Sequence, residues 1–418
     1  MRLRRFVPVA FACVLHPGAA AAQDETGAAA AFAFRYSLKS SAILSRLPDD
    51  PALFPDRSSA TGFWRVRLEP TVTWGQDVSV EAAFEQRVSV SSSPSSALGA
   101  AAVLPSNAPA PYRVRQLDWR FASGPNADWY GELDRAALHV GLVKADLTVG
   151  RQAIGWGRGA LFGAVDLFAP FTPLEADREW RRGVDAVRGD IRLADRVSLD
   201  SVAAFDDTLH RSAFVSRLRG YVGKTDLEVL GGYRAGDLFG GTTASAAVGD
   251  VEIHGELALF GTDAVPGSTV FAKARTIAKA VAGGSYRVPI GNGVLLYLEY
   301  HYSGFGATSP ELIVAQLRDP AFQQRYLRGD TQILTRHAIA ALGSYECSPE
   351  LTLSGQWLHS PVDASGVAVP TATWTFSDAW SVQFSGYLPY GRTPEGLTLV
   401  SEYGAFPLAL FAQLRMYR

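Results

Sequence analysis

The stretch Phe63-Trp64-Arg65-Val66-Arg67-Leu68-Glu69-Pro70-Thr71-Val72-Thr73-Trp74 alternates without a break. Trp64, Val66, Leu68, Pro70, Val72 and Trp74 share one parity, and Phe63, Arg65, Arg67, Glu69, Thr71 and Thr73 share the other. Successive side chains of a β-strand point to opposite faces, so the run predicts a strand with one apolar and one charged face. After Gly75-Gln76-Asp77 the pattern resumes, with Val78, Val80, Ala82, Phe84, Val88 and Val90 opposite Ser79, Glu81, Glu85, Arg87 and Ser89. A soluble sandwich alternates too. The tryptophan spacing separates the two cases. Trp64 and Trp74 stand ten residues apart on the apolar face, which is ~33 Å at a rise of ~3.3 Å per residue. Tilting the strand by ~40° leaves ~25 Å of height, the band a membrane barrel carries between its aromatic girdles. Trp380, Val382, Phe384, Gly386, Leu388 and Tyr390 repeat the arrangement opposite Ser381, Gln383, Ser385 and Tyr387.

The rest of the chain agrees. Hydrophobic residues make up 47% of its 418 positions, yet no stretch of about 18 consecutive apolar residues suits a membrane-spanning helix. Even 160–173 is interrupted by Asp166 and flanked by Arg158 and Glu175. The N-terminus reads as a secretory leader. Arg2, Arg4 and Arg5 precede the short apolar run Phe6–Leu15, and Ala20-Ala21-Ala22 before Gln23 suits cleavage, giving a leader over 1–22 and one barrel domain over 23–418. The rival reading is a lipoprotein signal at Cys13, which the bulky Phe11 opposes. Cleavage at Ala22 leaves Cys347 alone, so no intramolecular disulfide is expected. A net charge of −2 gives no general pull on nucleic acid.

Tight turns at 75–77, 144–146, 194–196, 222–225, 249–250, 289–293, 346–350 and 377–379 alternate with long pieces at 45–61, 91–130, 157–182, 303–332 and 391–407. Short periplasmic turns and long outer loops are the habit of outer-membrane barrels. Strands are expected over 33–44, 62–75, 78–90, 131–143, 147–156, 183–193, 197–206, 211–221, 226–234, 242–248, 251–262, 271–287, 294–302, 333–345, 351–360, 367–376, 380–390 and 408–417. The fold class is therefore an all-β transmembrane antiparallel barrel of about 18 strands, both termini periplasmic, with sixteen as the alternative count. The alternating run Tyr112–Phe121 is placed in an outer loop, because counting it in the wall would break the parity.

Val149-Gly150-Arg151-Gln152-Ala153-Ile154-Gly155-Trp156-Gly157 resembles the GRQ-x-x-x-WG strand of porin-like families, including alginate-export-type channels. The last strand, with Leu408, Leu410, Ala412, Leu414 and Met416 opposite Ala409, Phe411, Gln413, Arg415 and Tyr417, is similar to the terminal strand that such barrels present to their assembly machinery. It ends on Tyr417-Arg418 rather than on an aromatic. The resemblance implies a porin-like channel in the cell outer membrane. The implied partners are membrane lipid, the barrel-assembly machinery and small polar solutes, with homo-oligomerisation a further option.

Three constellations carry chemistry. The inward face offers Arg65, Arg67, Arg188, Arg192, Arg217, Arg219, Lys273, Arg275, Lys279 and Arg287 against Glu69, Glu81, Glu85, Glu252, Glu256 and Glu299. Fixed charges on a pore wall steer solutes by sign. Loop 157–182 adds Asp166, Arg178, Arg181 and Arg182, and its apolar pieces Ala160-Leu161-Phe162 and Leu167–Phe171 need cover, so it is expected to fold inward as a constriction. Its arginines are expected to meet Arg188, Arg192, Arg217 and Arg219 in one anion-favouring patch. Loop 303–332 should hold two helical turns, N-capped at Ser309 and Asp319, each before a proline. Two further groupings have plainer readings. Glu252, His254 and Glu256 share a strand face and suit a metal, although any wet lumen holds such residues. Asp206–Ser212, with His210, suits a hydrolase or a solvated turn. No catalytic residue, metal or cofactor is assigned. The expected function is a passive channel for small polar or anionic solutes, including saccharides; the alternatives are polysaccharide export, an outer-membrane hydrolase, and a structural barrel. Arg67→Leu, on the wet face, is expected to spare folding.

Overall fold

The computed structural model describes residues 30–50, 54–92, 103–104, 108–396 and 398–418. The expected leader and its cleavage site lie outside these residues. The strands are β1 Ala30–Arg46, β2 Ser58–Trp74, β3 Val78–Ser91, β4 Asp118–Ser123, β5 Ala127–Leu142, β6 Ala145–Gln152, β7 Val184–Ala194, β8 Val197–Ala204, β9 Ala213–Val222 and β10 Thr225–Arg234. They continue as β11 Asp237–Val248, β12 Val251–Thr262, β13 Arg275–Val288, β14 Val294–Ser303, β15 His337–Glu346, β16 Leu351–Ser360, β17 Ser365–Ser377, β18 Trp380–Tyr390 and β19 Leu408–Tyr417. Helices α1 Glu311–Arg318 and α2 Pro320–Arg328 lie between β14 and β15.

Neighbouring strands pair antiparallel around a ring, and β1 pairs with β19 from Ser37↔Tyr417 to Arg46↔Leu408 to close it. The wall has eighteen strands, since β3 pairs directly with β5 and β4 stands outside the count. The parity argument that placed Tyr112–Phe121 in a loop therefore holds. Every wall edge is paired, which is the condition for a sheet to lie in hydrocarbon. No helix among the described residues is long and apolar enough to cross a membrane.

The two faces follow the sequence alternation. Trp64, Trp74 and Phe384 face outward at 40%, 41% and 57% exposure, whereas Arg65, Arg67 and Gln383 face inward and are buried. On the terminal strand Leu410 and Leu414 point outward, while Phe411 and Tyr417 point into the lumen. The last aromatic ring thus serves the interior.

Several strand boundaries differ from expectation, and two of the differences bear on the site. β6 stops at Gln152 rather than 156, because Ala153–Trp156 leave the wall and turn inward. The outer half of the adjoining edge of β5 is taken over by β4, with Asp118↔Glu132 and Ser123↔Asp128. Segment 112–117 continues that cover. Leu117 O accepts from Leu133 N, and the Arg115 and Gln116 carbonyls accept from the Arg151 guanidinium. β13 begins at Arg275, so Lys273 is an exposed residue of the outer loop and not a wall residue. Asp319 caps α2, accepting from Ala321 N (3.0 Å) and Phe322 N (3.3 Å). Ser309 does not cap α1, whose cap position is Pro310 with no side-chain bond.

An arginine at the midplane of a barrel's lipid face costs about 2–4 kcal/mol. Phe384→Arg should therefore sharply lower the yield of heat-modifiable, SDS-resistant barrel. A yield equal to wild type would show that this face does not meet lipid.

Candidate functional site: the inward loop and its wall

Between β6 and β7, residues 153–183 enter the lumen, as the apolar pieces of this loop led us to expect. Two glycines of the GRQAIGWG motif explain the departure. Gly150 has φ +119°, and a Cβ there would stand 2.3 Å from Ala136 O. Gly157 has φ +106°, with a Cβ position 3.0 Å from Glu256 Oε1. Both conformations and the close approaches favour glycine.

Inside the barrel, the loop's backbone N–H groups are met by wall side chains. Arg158 N and Gly159 N (3.0 Å) donate to Glu256 Oε1, and Ala164 N (2.7 Å) and Val165 N (3.3 Å) donate to Oε2. Ala160 N donates to Glu299 Oε1, and Leu161 N (3.0 Å) and Phe162 N (3.3 Å) donate to Oε2. Gly163 N (2.9 Å) donates to Gln332 Oε1 of the next inward loop. Eight successive amides are thus served by two carboxylates and one amide, with His254 Nε2 3.2 Å from Glu299 Oε1.

The loop divides the lumen. On one side Ile154, Trp156, Leu161, Phe162, Val165 and Phe168 pack against Ala186, Val202, Ala213, Phe239, Phe260 and Ile277 of β7–β13 as a buried apolar core. On the other side charges alternate across β1–β5. Lys39 pairs with Asp177 (2.7 Å) and Glu179 (2.6 Å), and Arg65 with Glu85 (2.7 Å) and Asp177 (3.3 Å). Arg67 pairs with Glu69 (2.8 Å), Glu85 (3.3 Å) and Asp134 (2.8 Å), and Arg87 with Glu85 (2.5 Å) and Glu132 (3.0 Å). The Trp180 ring lies among three cations, 3.7 Å from Lys39 Nζ, 4.6 Å from Arg65 and 5.2 Å from Arg67. Burial alone would raise the Asp177 carboxyl, but Lys39 and Arg65 outweigh it and hold it below the usual range. Burial wins at Asp166 and pushes its carboxyl up, although Arg181 stands 2.6 Å away.

The expected single patch of arginines does not form. Arg188 and Arg217 share Asp200 (2.9 and 2.8 Å), and Arg219 is bound to Asp190. Arg181 pairs with Asp166, and Arg182 reaches Glu132 at 3.3 Å and Ala108 O at 2.5 Å. Arg192 is exposed near the short-turn end of β7. Among the described residues Arg178 has no ion pair, and its guanidinium donates to Ala160 O at 3.5 Å. Arg275 sits exposed at the outer end of β13, and Arg287 is exposed near the other end. Lys279 is buried with its ammonium on Gly163 O (3.2 Å), and Glu299 is a clasp rather than an open pore charge. Glu252 is exposed and apart from the clasp carboxylate Glu256; no group of three metal-ligating side chains occurs among the described residues. Ser212 Oγ is spent within its own turn, accepting from Asp206 N (3.0 Å) and donating to Thr208 O (2.8 Å). His210 stacks edge-on to Tyr233, so the segment reads as a turn. Sequence reasoning missed Lys39, Glu132 and Asp134, which the inward parity of their strands would have flagged. It also missed Gln332, for which there was no local signal.

No family model matches the chain, and no curated protein matches it. Solved structures do. Acinetobacter baumannii OccAB1 aligns at TM-score 0.57 and 9% identity over 93% of this chain and 96% of that one. Pseudomonas aeruginosa OccK9 (OpdG) aligns at 0.56 and 10% over 92% and 98%. Pseudomonas aeruginosa OpdK, solved with vanillate, aligns at 0.50 and 10% over 92% and 98%. The chain shares the fold of these outer-membrane porins, and its closed, outwardly apolar barrel places it in the outer membrane.

Two predictions follow from the clasp and the charge ladder. Glu299→Gln replaces one acceptor oxygen with a donor facing loop amides, and each buried group left unpaired costs about 1–3 kcal/mol. A cysteine replacing Phe162 in a Cys347→Ser background should then react with a hydrophilic thiol reagent at least about tenfold faster. Equal rates in folded protein would mean that the clasp does not hold the loop. Arg67→Leu, by contrast, takes the cation from Glu69 and one of several cations from the buried Glu85 and Asp134, and breaking a buried pair costs up to about 3–5 kcal/mol. Contrary to the expectation from its wet-face position, it should lower the urea midpoint of the barrel, and an unchanged midpoint would refute the network's structural role.

Proposed function

We propose that the chain is a passive channel for small polar or anionic solutes, with the inward loop 153–183 forming its narrowest part. The observation that carries this reading is the cluster of Lys39, Arg65 and Arg67 around Trp180. Here the loop brings an aromatic face against a wall of fixed cations. The three cations are buried behind the half-buried ring, so a passing solute would meet the ring and feel their charge from behind it. The presence of vanillate in the OpdK structure supports the same solute class. The carboxylates interleaved among the cations neutralise most of the field, so selectivity for anions should be modest.

Arg178 is the loop arginine with no carboxylate within ion-pair distance among the described residues, so it contributes net positive charge to the constriction. In planar bilayers wild type should conduct, and Arg178→Glu should shift the reversal potential in a salt gradient towards cations. The shift should shrink at 1 M salt, where the screening length is about 3 Å. A conducting variant with an unchanged reversal potential would remove the loop from the permeation path. A wild-type barrel that does not conduct would refute the channel.

A further inference from the structure

The outer end of the lumen holds two arginines that the ion-pair pattern does not absorb. Arg275 opens β13 in register with the inward Ile277 and Lys279, and Arg336 precedes β15 in register with the inward Ala338 and Ala340. They flank the outer end of β14, where Ser303 N donates to Arg336 O. Elsewhere in the barrel, buried arginines find carboxylates. Arg234 and Arg328 share Asp330, and nearby Arg325 is bound to Asp237 (2.5 Å) and Asp330 (3.3 Å). Arg336 is half-buried, its Nε is shut off from solvent, and its guanidinium has no hydrogen-bond partner among the described residues. Arg336 and Arg325, both of its own sign, lie within electrostatic reach of Arg275.

Arg275 keeps its contact with water, so the cost falls on Arg336, whose Nε is withdrawn from water without a partner and beside charge of its own sign. An anion would relieve that cost. The position is nevertheless built. Arg275 lies on the face of the buried Phe271, 5.4 Å from the ring centre, and Arg325 lies 4.7 Å from the same ring. Arg325 also packs on Phe305 at 5.6 Å. The Phe271 ring holds Arg275 in place before any ligand arrives, so little of its side-chain freedom is lost on binding.

We propose that Arg275 and Arg336 form an anion-docking site at the extracellular end of the lumen, one that takes the phosphate group of a dissolved solute. Two unpaired guanidiniums offer planar forks of donors that match phosphate oxygens, with charge to balance a dianion. A phosphate group can also come from a lipid headgroup, but both arginines continue lumen-facing registers, which favours the dissolved source. The proposal names a solute class for the channel reading and rests on the outer mouth being open to solvent.

The test is calorimetric titration of the detergent-solubilised, lipopolysaccharide-free barrel with inorganic phosphate, beside bilayer conductance of the same preparations. Saturable binding is expected, weakened at least about tenfold by Arg275→Gln or by Arg336→Gln and lost in the double variant. Arg192→Gln, at the far end of the lumen, should bind as wild type. Absence of saturable binding, or equal binding by the double variant, overturns the proposal. Lipopolysaccharide retained by wild type and shed by the double variant, without phosphate binding, assigns the pair to lipid and also overturns it. Phosphate binding without conductance upholds the site while refuting the channel. Conductance without phosphate binding does the reverse.

Discussion

A segment that leaves a β-barrel wall for the lumen takes its backbone N–H groups away from both the sheet and bulk water. Each buried donor then needs an acceptor, or the folded state loses about 1–3 kcal/mol per group. Residues 158–165 have no sheet or helix partner, and the wall answers with Glu256 and Glu299. A carboxylate has two oxygens and about four acceptor positions, so two of them nearly suffice, and Gln332 serves the remaining Gly163 N. The rest of the interior depends on this clasp. It sets the depth of the loop, and with it the apolar core on one side and the buried ion-pair network on the other.

The clasp has a consequence in the wall. Because β6 gives up its outer residues to the loop, β5 and β7 lose a shared neighbour above Gln152. β4 and segment 112–117, from the preceding outer loop, occupy the space, secured by Arg151 on Asp185 (2.7 Å) and by Val114 N on Asp185 (3.0 Å). Tyr112 and Leu117, both with positive φ, bracket that segment. Backbone strain of this kind persists where surrounding contacts over-determine the conformation. The inward loop and the outer cover are therefore one device, since neither placement satisfies its backbone without the other.

The second inward loop couples to the first. Gln332 accepts from Gly163 N and donates to Phe171 O (2.9 Å), and Arg234 joins Leu167 O (2.7 Å) to Asp330 just beyond α2. Burial opposes ionisation of Asp319, but bonds from Ser268 and from the amides of Val270, Thr269 and Phe322 hold its carboxyl low, so it remains a charged cap. A further loop is tied on through Glu402, which accepts from Leu334 N (2.7 Å) and Thr335 N (3.0 Å). These three loops are thus tied to one another by hydrogen bonds rather than standing as independent strands of chain.

The alternation from Phe63 to Trp74 and from Trp380 to Tyr390 was enough to determine barrel class and facing, while the order of short turns and long loops left the count between eighteen and sixteen. Side-chain parity is a local property, and lipid demands that one parity be apolar over a set height. The inward course of 153–183 was legible from its exposed apolar pieces. The partners of its charges were not. Arg188 and Arg217 lie far from each other in sequence, and only the β7–β8–β9 pairing brings both to Asp200. Glu299 looked like an open pore charge, because no sequence pattern records that a loop 138 residues away would deliver Leu161 N to it. Lys273 was misplaced because alternation does not mark where a strand ends and a loop begins. Register between distant strands decides which charges meet, and register belongs to the closed barrel, not to any single stretch of chain.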